Sequence, residues 1–351
     1  MAYRLNEKIR DLKPYDPISG DFSVRLDANE SFLPVPQKIL QKIAEAVILA
    51  SYNRYPDPLA KELCQSLGEY YHVSPDLVTA GNGSDELISI ICSAFLMKGD
   101  TMLTLSPDFS MYRFYASIAE AKSKQYFKKP DMTIDIDQLI AAANASQAKM
   151  ILFSNPCNPT SLGLKREEVR RLITSVDALV VLDEAYMDFW EESMLDEVEN
   201  YDNLMILRTC SKAFGMAGIR LGFAVANRTL TNALKAVKSP YNVNTLTQRT
   251  GSVILKEGQW LRSCIEEIKS SRDMLSEKMS VLENNYSQRM HVYPSVTNFL
   301  FVKIAQAEEV YRELLKSGVA VRYLGDFLRI TTGTKEENEK FMQAFEKAIR
   351  L

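Results

Sequence analysis

The sequence predicts an α/β protein: a three-layer, mostly parallel sheet with helices on both faces, followed by a smaller α+β region. Three observations lead there. Between about 75 and 230, short apolar runs alternate with amphipathic helical patterns; the runs are Met102–Leu105, Met150–Phe153, Ala178–Leu182, Leu204–Leu207 and Gly222–Ala226. Continuous short apolar runs bounded by Asp, Asn, Pro or Gly suit strands buried on both faces of a parallel sheet. The second observation is that polar clusters follow those runs: Ser106-Pro107, Ser154-Asn155-Pro156, Asp183-Glu184 and Arg208-Thr209. Ligands in such sheets bind beyond the carboxyl ends of the strands. Third, the pattern changes from about 243. A long helical stretch, about 260–285, leads into strands at 297–304 and 327–332 and a terminal helix at 336–350.

Ahead of the sheet, Pro14, Pro17, Gly20, Pro34 and Pro36 mark an extended arm before a first helix at about 36–50. The expected division is an arm (1–30), a large unit (31–242) and a small unit (243–351). The chain has 351 residues, 46% hydrophobic and 25% charged, with a formal charge of −3. This balance allows a full core and argues against nucleic acid as a partner. His72 and His291 are far apart, so no metal site is expected. Cys64, Cys92, Cys157, Cys210 and Cys264 are odd in number and form no C-x-x-C pair, as in a reduced, cytoplasmic protein. No signal peptide is visible, and no apolar run approaches the roughly 20 residues of a membrane span.

Four motifs and one aromatic residue carry the chemistry. Ser211-Lys212, at the exit of the 204–207 strand, has small residues behind it and Arg220 eight positions beyond Lys212. An amine beside a hydroxyl and a guanidinium suits a phosphorylated aldehyde, since burial and nearby cations make a lysine nucleophilic; an exposed loop lysine is the alternative. Gly81-Asn82-Gly83-Ser84-Asp85-Glu86 opens a helix running to about Met97. It is either a phosphate seat or a plain cap with Ser84 at the N-cap. It lacks the G-K-[ST] of a nucleotide loop, and Glu86 stands where a dinucleotide fingerprint has its third glycine. That departure argues against a nucleotide-dependent oxidoreductase. Asp183, ending an apolar strand, can hold a protonated ring nitrogen, cap a turn or bind magnesium. Asn155-Pro156-Cys157-Asn158-Pro159-Thr160 sets a rigid, non-helical path. Tyr112 can stack on a ring or belong to the core.

Together and in this order, the motifs resemble the fold-type-I aminotransferases that use pyridoxal 5′-phosphate, most closely the histidinol-phosphate branch. The resemblance covers about residues 12–333. It implies that Lys212 anchors the cofactor and Asp183 pairs its ring nitrogen. Asn158 and Tyr186 would contact the ring oxygen, and Tyr112 would stack on the ring. Ser84, the amides of Asp85 and Glu86, Ser211 and Arg220 would hold the phosphate. It further implies a homodimer in which Tyr55, from Arg54-Tyr55-Pro56-Asp57-Pro58, reaches the partner's phosphate. Tyr15 and Asn29 would cover the substrate, and Arg322 and Arg329 would receive its anionic groups. The expected reaction joins an amino donor and a 2-oxo acid, histidinol phosphate with 2-oxoglutarate. An aromatic amino-acid aminotransferase or an O-phospho-threonine decarboxylase could share these residues. A non-catalytic pyridoxal-phosphate regulator would need a DNA-binding domain that the acidic balance does not suggest. The chain departs from the family pattern at Ser161, where glycine is usual, at Ser31-Phe32, where Asn-Pro is usual, and at Pro17-Ile-Ser-Gly20.

Overall fold

The computed structural model describes residues 3–12, 14 and 18–350. Among these, twelve strands form two sheets. In chain order they are β1 (Val24–Leu26), β2 (Val78–Gly81), β3 (Thr101–Ser106), β4 (Lys122–Phe127), β5 (Met150–Ser154), β6 (Leu179–Asp183), β7 (Leu204–Thr209), β8 (Gly222–Ala226), β9 (Met290–Val292), β10 (Phe299–Ile304), β11 (Val319–Tyr323) and β12 (Phe327–Thr331). The larger sheet has the order β2-β8-β7-β6-β5-β3-β4. β3 to β7 pair in parallel, and only β8 runs against its neighbours.

The expected three-layer architecture follows from alternation along these strands. Val180, Leu182, Leu204 and Ile206 face one core with Leu139 and Leu172 from two covering helices. Val181, Met205 and Leu207 face the other, against Leu87 and Ile91 of the Gly83–Phe95 helix and Tyr112 of the Met111–Ile118 helix. β5 to β8 thus lie between two apolar layers, which is why they show as unbroken apolar runs. β4 is different. Lys122, Ser123 and Lys124 are exposed at the sheet's edge, where charge blocks further pairing, so apolar pattern did not mark it.

The smaller sheet has the order β1-β11-β12-β10-β9. Its β1 comes from the arm: Val24 to Leu26 pair in parallel with Val319 to Val321, and Val24 and Leu26 sit in the small core. Pattern alone treated 1–30 as a separate arm, because three residues are too short to show a period. Pattern also began the small unit at 243. The packing changes later, inside the Gly258–Asn285 helix: Leu261, Ile265 and Ile268 belong to the large core, whereas Leu275, Met279 and Leu282 belong to the small one. One 28-residue helix therefore anchors in both cores.

Ser161 explains the family's usual glycine. Its φ is +58°, the left-handed region, which carries a penalty for any residue with a Cβ. The buried hydroxyl lies 2.7 Å from the Thr160 carbonyl and 2.9 Å from that of Pro294. Its backbone carbonyl accepts from Val296 N–H at 3.1 Å. These bonds offset the strain and tie the loop to the chain leading into β10.

Candidate active site

β3, β5, β6 and β7 are parallel, so their last residues, Ser106, Ser154, Asp183 and Thr209, reach one edge of the sheet. Ser211 and Lys212 follow β7, and Thr209 Oγ1 accepts from Ser211 N–H at 3.2 Å. The Lys212 ammonium donates to the Ala28 carbonyl at 3.1 Å and lies 5.8 Å from the Tyr186 ring centre. Burial, with Arg329 and Arg220 and against Glu30 and Asp85, lowers its pKa from 10.5 to about 8. An amine titrating there is still mostly protonated at about pH 7, but its neutral fraction is far larger than that of an ordinary lysine.

The Gly83–Phe95 helix begins with Asn82 in the cap position, two residues earlier than a Ser84 cap. Gly83 has φ +79°, and a Cβ on it would lie 2.8 Å from Arg220 Nη2. A Cβ on Gly222 would lie 2.5 Å from Gly83 C and Ser84 N. Both glycines are therefore required by the close approach of this turn to β8 and to Arg220. Arg220 Nη1 donates to Ser211 Oγ at 3.4 Å, and Nη2 lies 3.7 Å from Asp85 Oδ2. The structure brings together Ser84, Asp85, Ser211 and Arg220 at one helix N-terminus, where backbone N–H groups and the helix dipole favour an anion. Glu86 does a different job with its side chain. Its carboxylate accepts from Asn82 N–H at 2.7 Å, Asn82 Nδ2 at 3.1 Å and Asn242 Nδ2 at 2.8 Å, bracing the turn from behind.

Asp183 is 5% exposed. Tyr112 Oη donates to its Oδ2 at 2.8 Å and Ala185 N–H to its Oδ1 at 3.1 Å. Burial raises its pKa from 3.8 to about 7, with the Tyr112 bond pulling the other way. A carboxylate so placed gains most from a cation in contact. Tyr112 is wholly buried; its hydroxyl engages Asp183 and its ring meets Phe109 edge-on at 5.5 Å. The Tyr186 hydroxyl accepts from Asn29 Nδ2 at 2.9 Å, and burial pushes its pKa up to about 12. Asn29 has φ +54°, which Asn tolerates better than most residues. Its backbone N–H donates to Thr331 Oγ1 at 3.0 Å, tying the arm to β12.

Asn158 Oδ1 accepts from Arg329 Nη1 at 2.6 Å, and Arg329 Nη2 donates to the Asp27 carbonyl at 2.6 Å. A guanidinium only donates, so the Asn158 amide must turn its oxygen toward Arg329. Its Nδ2 is then left to donate elsewhere. Arg322 and Arg329 are direct cross-strand partners in β11 and β12, which puts them on one face of the small sheet. Tyr55 is 80% exposed and stacks on Tyr241 at 4.5 Å. It is the one sequence-selected residue that faces solvent on a separate surface. Tyr15 lies outside the described residues.

Sequence reasoning missed a buried ion cluster. Arg208 Nη2 lies 3.0 Å from Glu184 Oε2 and Nη1 3.3 Å from Asp188 Oδ1. Tyr71 Oη donates to Asp188 at 2.7 Å and Ser193 Oγ to Glu184 at 2.6 Å. Strand alternation could have signalled it: Glu184 must point away from Asp183, and Arg208 away from Thr209, onto the same opposite face. Among the described residues, no His, Cys, Asp and Glu group is arranged to hold a metal ion, and no helix is long and apolar enough to cross a membrane.

Residues 23–345 match the family model for aminotransferase class I and II. The chain belongs to that family. It is a transaminase, with pyridoxal 5′-phosphate as its cofactor. It is similar to a histidinol-phosphate aminotransferase of Clostridium kluyveri, 38% identical over 98% of each chain. One of Thermoanaerobacter pseudethanolicus is 36% identical over 98% of each. Among solved structures, histidinol-phosphate aminotransferase from Sinorhizobium meliloti with pyridoxal-5′-phosphate superposes with a TM-score of 0.87 at 22% identity, covering 99% of this chain and 98% of that one. The transaminase's own residues fit the cofactor. Its helix N-terminus at Ser84 and Asp85, held against Ser211 and Arg220 by the close approach at Gly83 and Gly222, is a seat for an anion. Asp183 is a buried carboxylate lacking a cation, and Lys212 is an amine of lowered pKa.

Proposed function

We propose that this transaminase exchanges the amino group of histidinol phosphate with the oxo group of 2-oxoglutarate. The observation that carries the reading is near-full-length likeness to histidinol-phosphate aminotransferases. Arg322 and Arg329, side by side on the small sheet, support it. One substrate brings a phosphate ester and the other a second carboxylate, and planar guanidinium forks accept either.

Bound pyridoxal 5′-phosphate supplies an electron sink that lets the substrate's Cα–H bond ionise. Ser211, Arg220 and the amides at Ser84 to Glu86 would hold its phosphate. Asp183 would keep its ring nitrogen protonated, and Asn158 Nδ2 and the Tyr186 hydroxyl would address the ring oxygen. Tyr112 would cover the ring and Lys212 would anchor the cofactor. In its neutral form Lys212 Nζ would take the proton from the donor's Cα and return it as an acid. Asn29, tied to Tyr186 and Thr331, would cover the substrate.

The active form is a homodimer in which Tyr55 reaches the partner's phosphate. Supporting this, Tyr55 and Tyr241 are exposed and stacked on each other, and Ile48, Leu49, Tyr52 and Leu246 are exposed as well; exposed apolar side chains in number are what an interface covers. The protein works in the cytoplasm, in keeping with five buried, unpaired cysteines.

The test is a half-reaction screen of the holoenzyme against histidinol phosphate, phenylalanine, tyrosine and phosphothreonine, followed by the cofactor's visible band. Histidinol phosphate should bleach the band fastest. A faster response to an aromatic amino acid, or release of carbon dioxide from phosphothreonine, would overturn the substrate assignment.

A further inference from the structure

We propose that Asp108 is a positioning residue: acting through Ser154 and Asn158, it orients Arg329 at the anion-receiving end of the site. The inference rests on the reading of Arg329 as a substrate-binding side chain.

Asp108 lies just beyond β3, before the Met111–Ile118 helix. Its Oδ1 accepts from Phe109 N–H at 2.7 Å and, at short range, from the Ser154 hydroxyl. Its Oδ2 accepts from Ser154 N–H at 3.2 Å. Burial raises the pKa of this carboxyl, while the three donors and Lys128 favour its ionised form. Lys128, which donates to Thr160 Oγ1 at 2.9 Å, supplies the opposing charge nearby.

Ser154, the last residue of β5, is 3% exposed. A hydroxyl has one proton and two lone pairs. With its proton committed to Asp108, Ser154 Oγ presents a lone pair to Asn158 N–H, 3.0 Å away. Asn158 Oδ1 in turn accepts from Arg329 Nη1. One polar chain thus runs Asp108–Ser154–Asn158–Arg329, from the large sheet to the small one. Asp108 fixes the sense of the Ser154 hydroxyl; Ser154 then pins the Asn158 backbone, and with it the position of the side-chain oxygen that Arg329 meets. None of Asp108's own hydrogen bonds goes to Lys212, Asp183 or the phosphate seat.

Asp108→Asn keeps the shape and breaks the logic. An amide has one acceptor oxygen; its NH2 must face either Ser154 N–H or Phe109 N–H. With the NH2 at the Oδ1 place, the Ser154 proton loses its acceptor and its fixed direction; at the Oδ2 place, the NH2 faces Ser154 N–H and pushes the end of β5 away. In the holoenzyme, KM should rise about tenfold for histidinol phosphate and for 2-oxoglutarate, the scale of one charge-assisted hydrogen bond. kcat should change less than about threefold, because Asp108 makes no hydrogen bond to Lys212 or Asp183 and reaches Asp183 only through its charge, a minor cause of that residue's raised pKa. In a Ser154→Ala background, Asp108→Asn should add less than about twofold, since the chain is already cut.

Unchanged KM values in folded Asp108→Asn would overturn the inference. So would a full tenfold effect that persists in the Ser154→Ala background, which would show Asp108 acting by another route. If Asp108→Asn does not fold, Ser154→Ala alone reads the same chain: raised KM supports it, and unaltered KM ends it. Arg329→Lys separates the two readings. Unchanged KM values there would remove the anion site itself; raised KM there with normal KM in Asp108→Asn would remove only the role of Asp108.

Discussion

Asp183→Asn should stabilise the apoprotein while disabling the enzyme. In the folded protein burial holds this carboxyl at about 7 instead of its ordinary 3.8. Between those values the folded state keeps a proton that the unfolded chain has released. Stability is therefore intact below about pH 4, falls as pH rises through the window, and is lowest above 7. A displacement of about three pH units corresponds to on the order of 4 kcal/mol at 1.36 kcal/mol each. Asn carries no charge to desolvate, so the variant escapes the penalty. The charge assistance of the Tyr112 bond is already contained in that value. The expected net gain above pH 7 is on the order of 4 kcal/mol, shrinking to nothing near pH 4. Urea unfolding of cofactor-free wild type and variant at several pH values between 4.5 and 8.5 measures it. The holoenzyme variant should lose at least about a hundredfold in kcat, since a preorganised charge in a dry site contributes roughly 3 kcal/mol. Stability curves that stay parallel across this range would refute the desolvated-carboxylate argument. Near-normal turnover would show that the ring nitrogen is held by another group.

Lys212→Ala should abolish the visible band of the holoenzyme and all turnover, and borohydride should fix the cofactor in wild type at this lysine alone, read by peptide mass. Capture of cofactor by the apoprotein should accelerate with pH up to about 8 and then level off; a rate still climbing toward pH 10 would mean an unperturbed amine. Arg208→Met should cost about 3–5 kcal/mol in unfolding experiments, because it strands Glu184 and Asp188 beneath the β6 and β7 exits. A loss under about 1 kcal/mol would show that water reaches the cluster. Tyr55→Ala and Lys212→Ala, each nearly inactive alone, should regain activity when refolded together; verified heterodimers without activity would place Tyr55 in its own site.

Much of the chemistry was legible in the chain. Lys212, Asp183 and the Gly83 turn stand out because each follows an unbroken apolar strand, and a strand buried on both faces admits polar residues only at its ends. The Tyr112 hydroxyl was less legible. Its partner Asp183 is 71 positions away, and only helix packing onto the sheet brings them together. Arg208 looked like a generic strand-end residue. Its pairing with Glu184 depends on the register that sets Asp183 beside Leu207.

The sequence by itself determined the kind of chemistry and the layered fold, since residue type and apolar period are local properties. The tertiary structure decided which polar groups meet: Glu86 behind the phosphate seat, Asn29 on Tyr186, β1 in the small sheet, and the run from Asp108 to Arg329. Those partners are set by strand register and by one helix anchored in two cores. Register reflects pairing energies summed over a whole sheet, which no single stretch of chain carries.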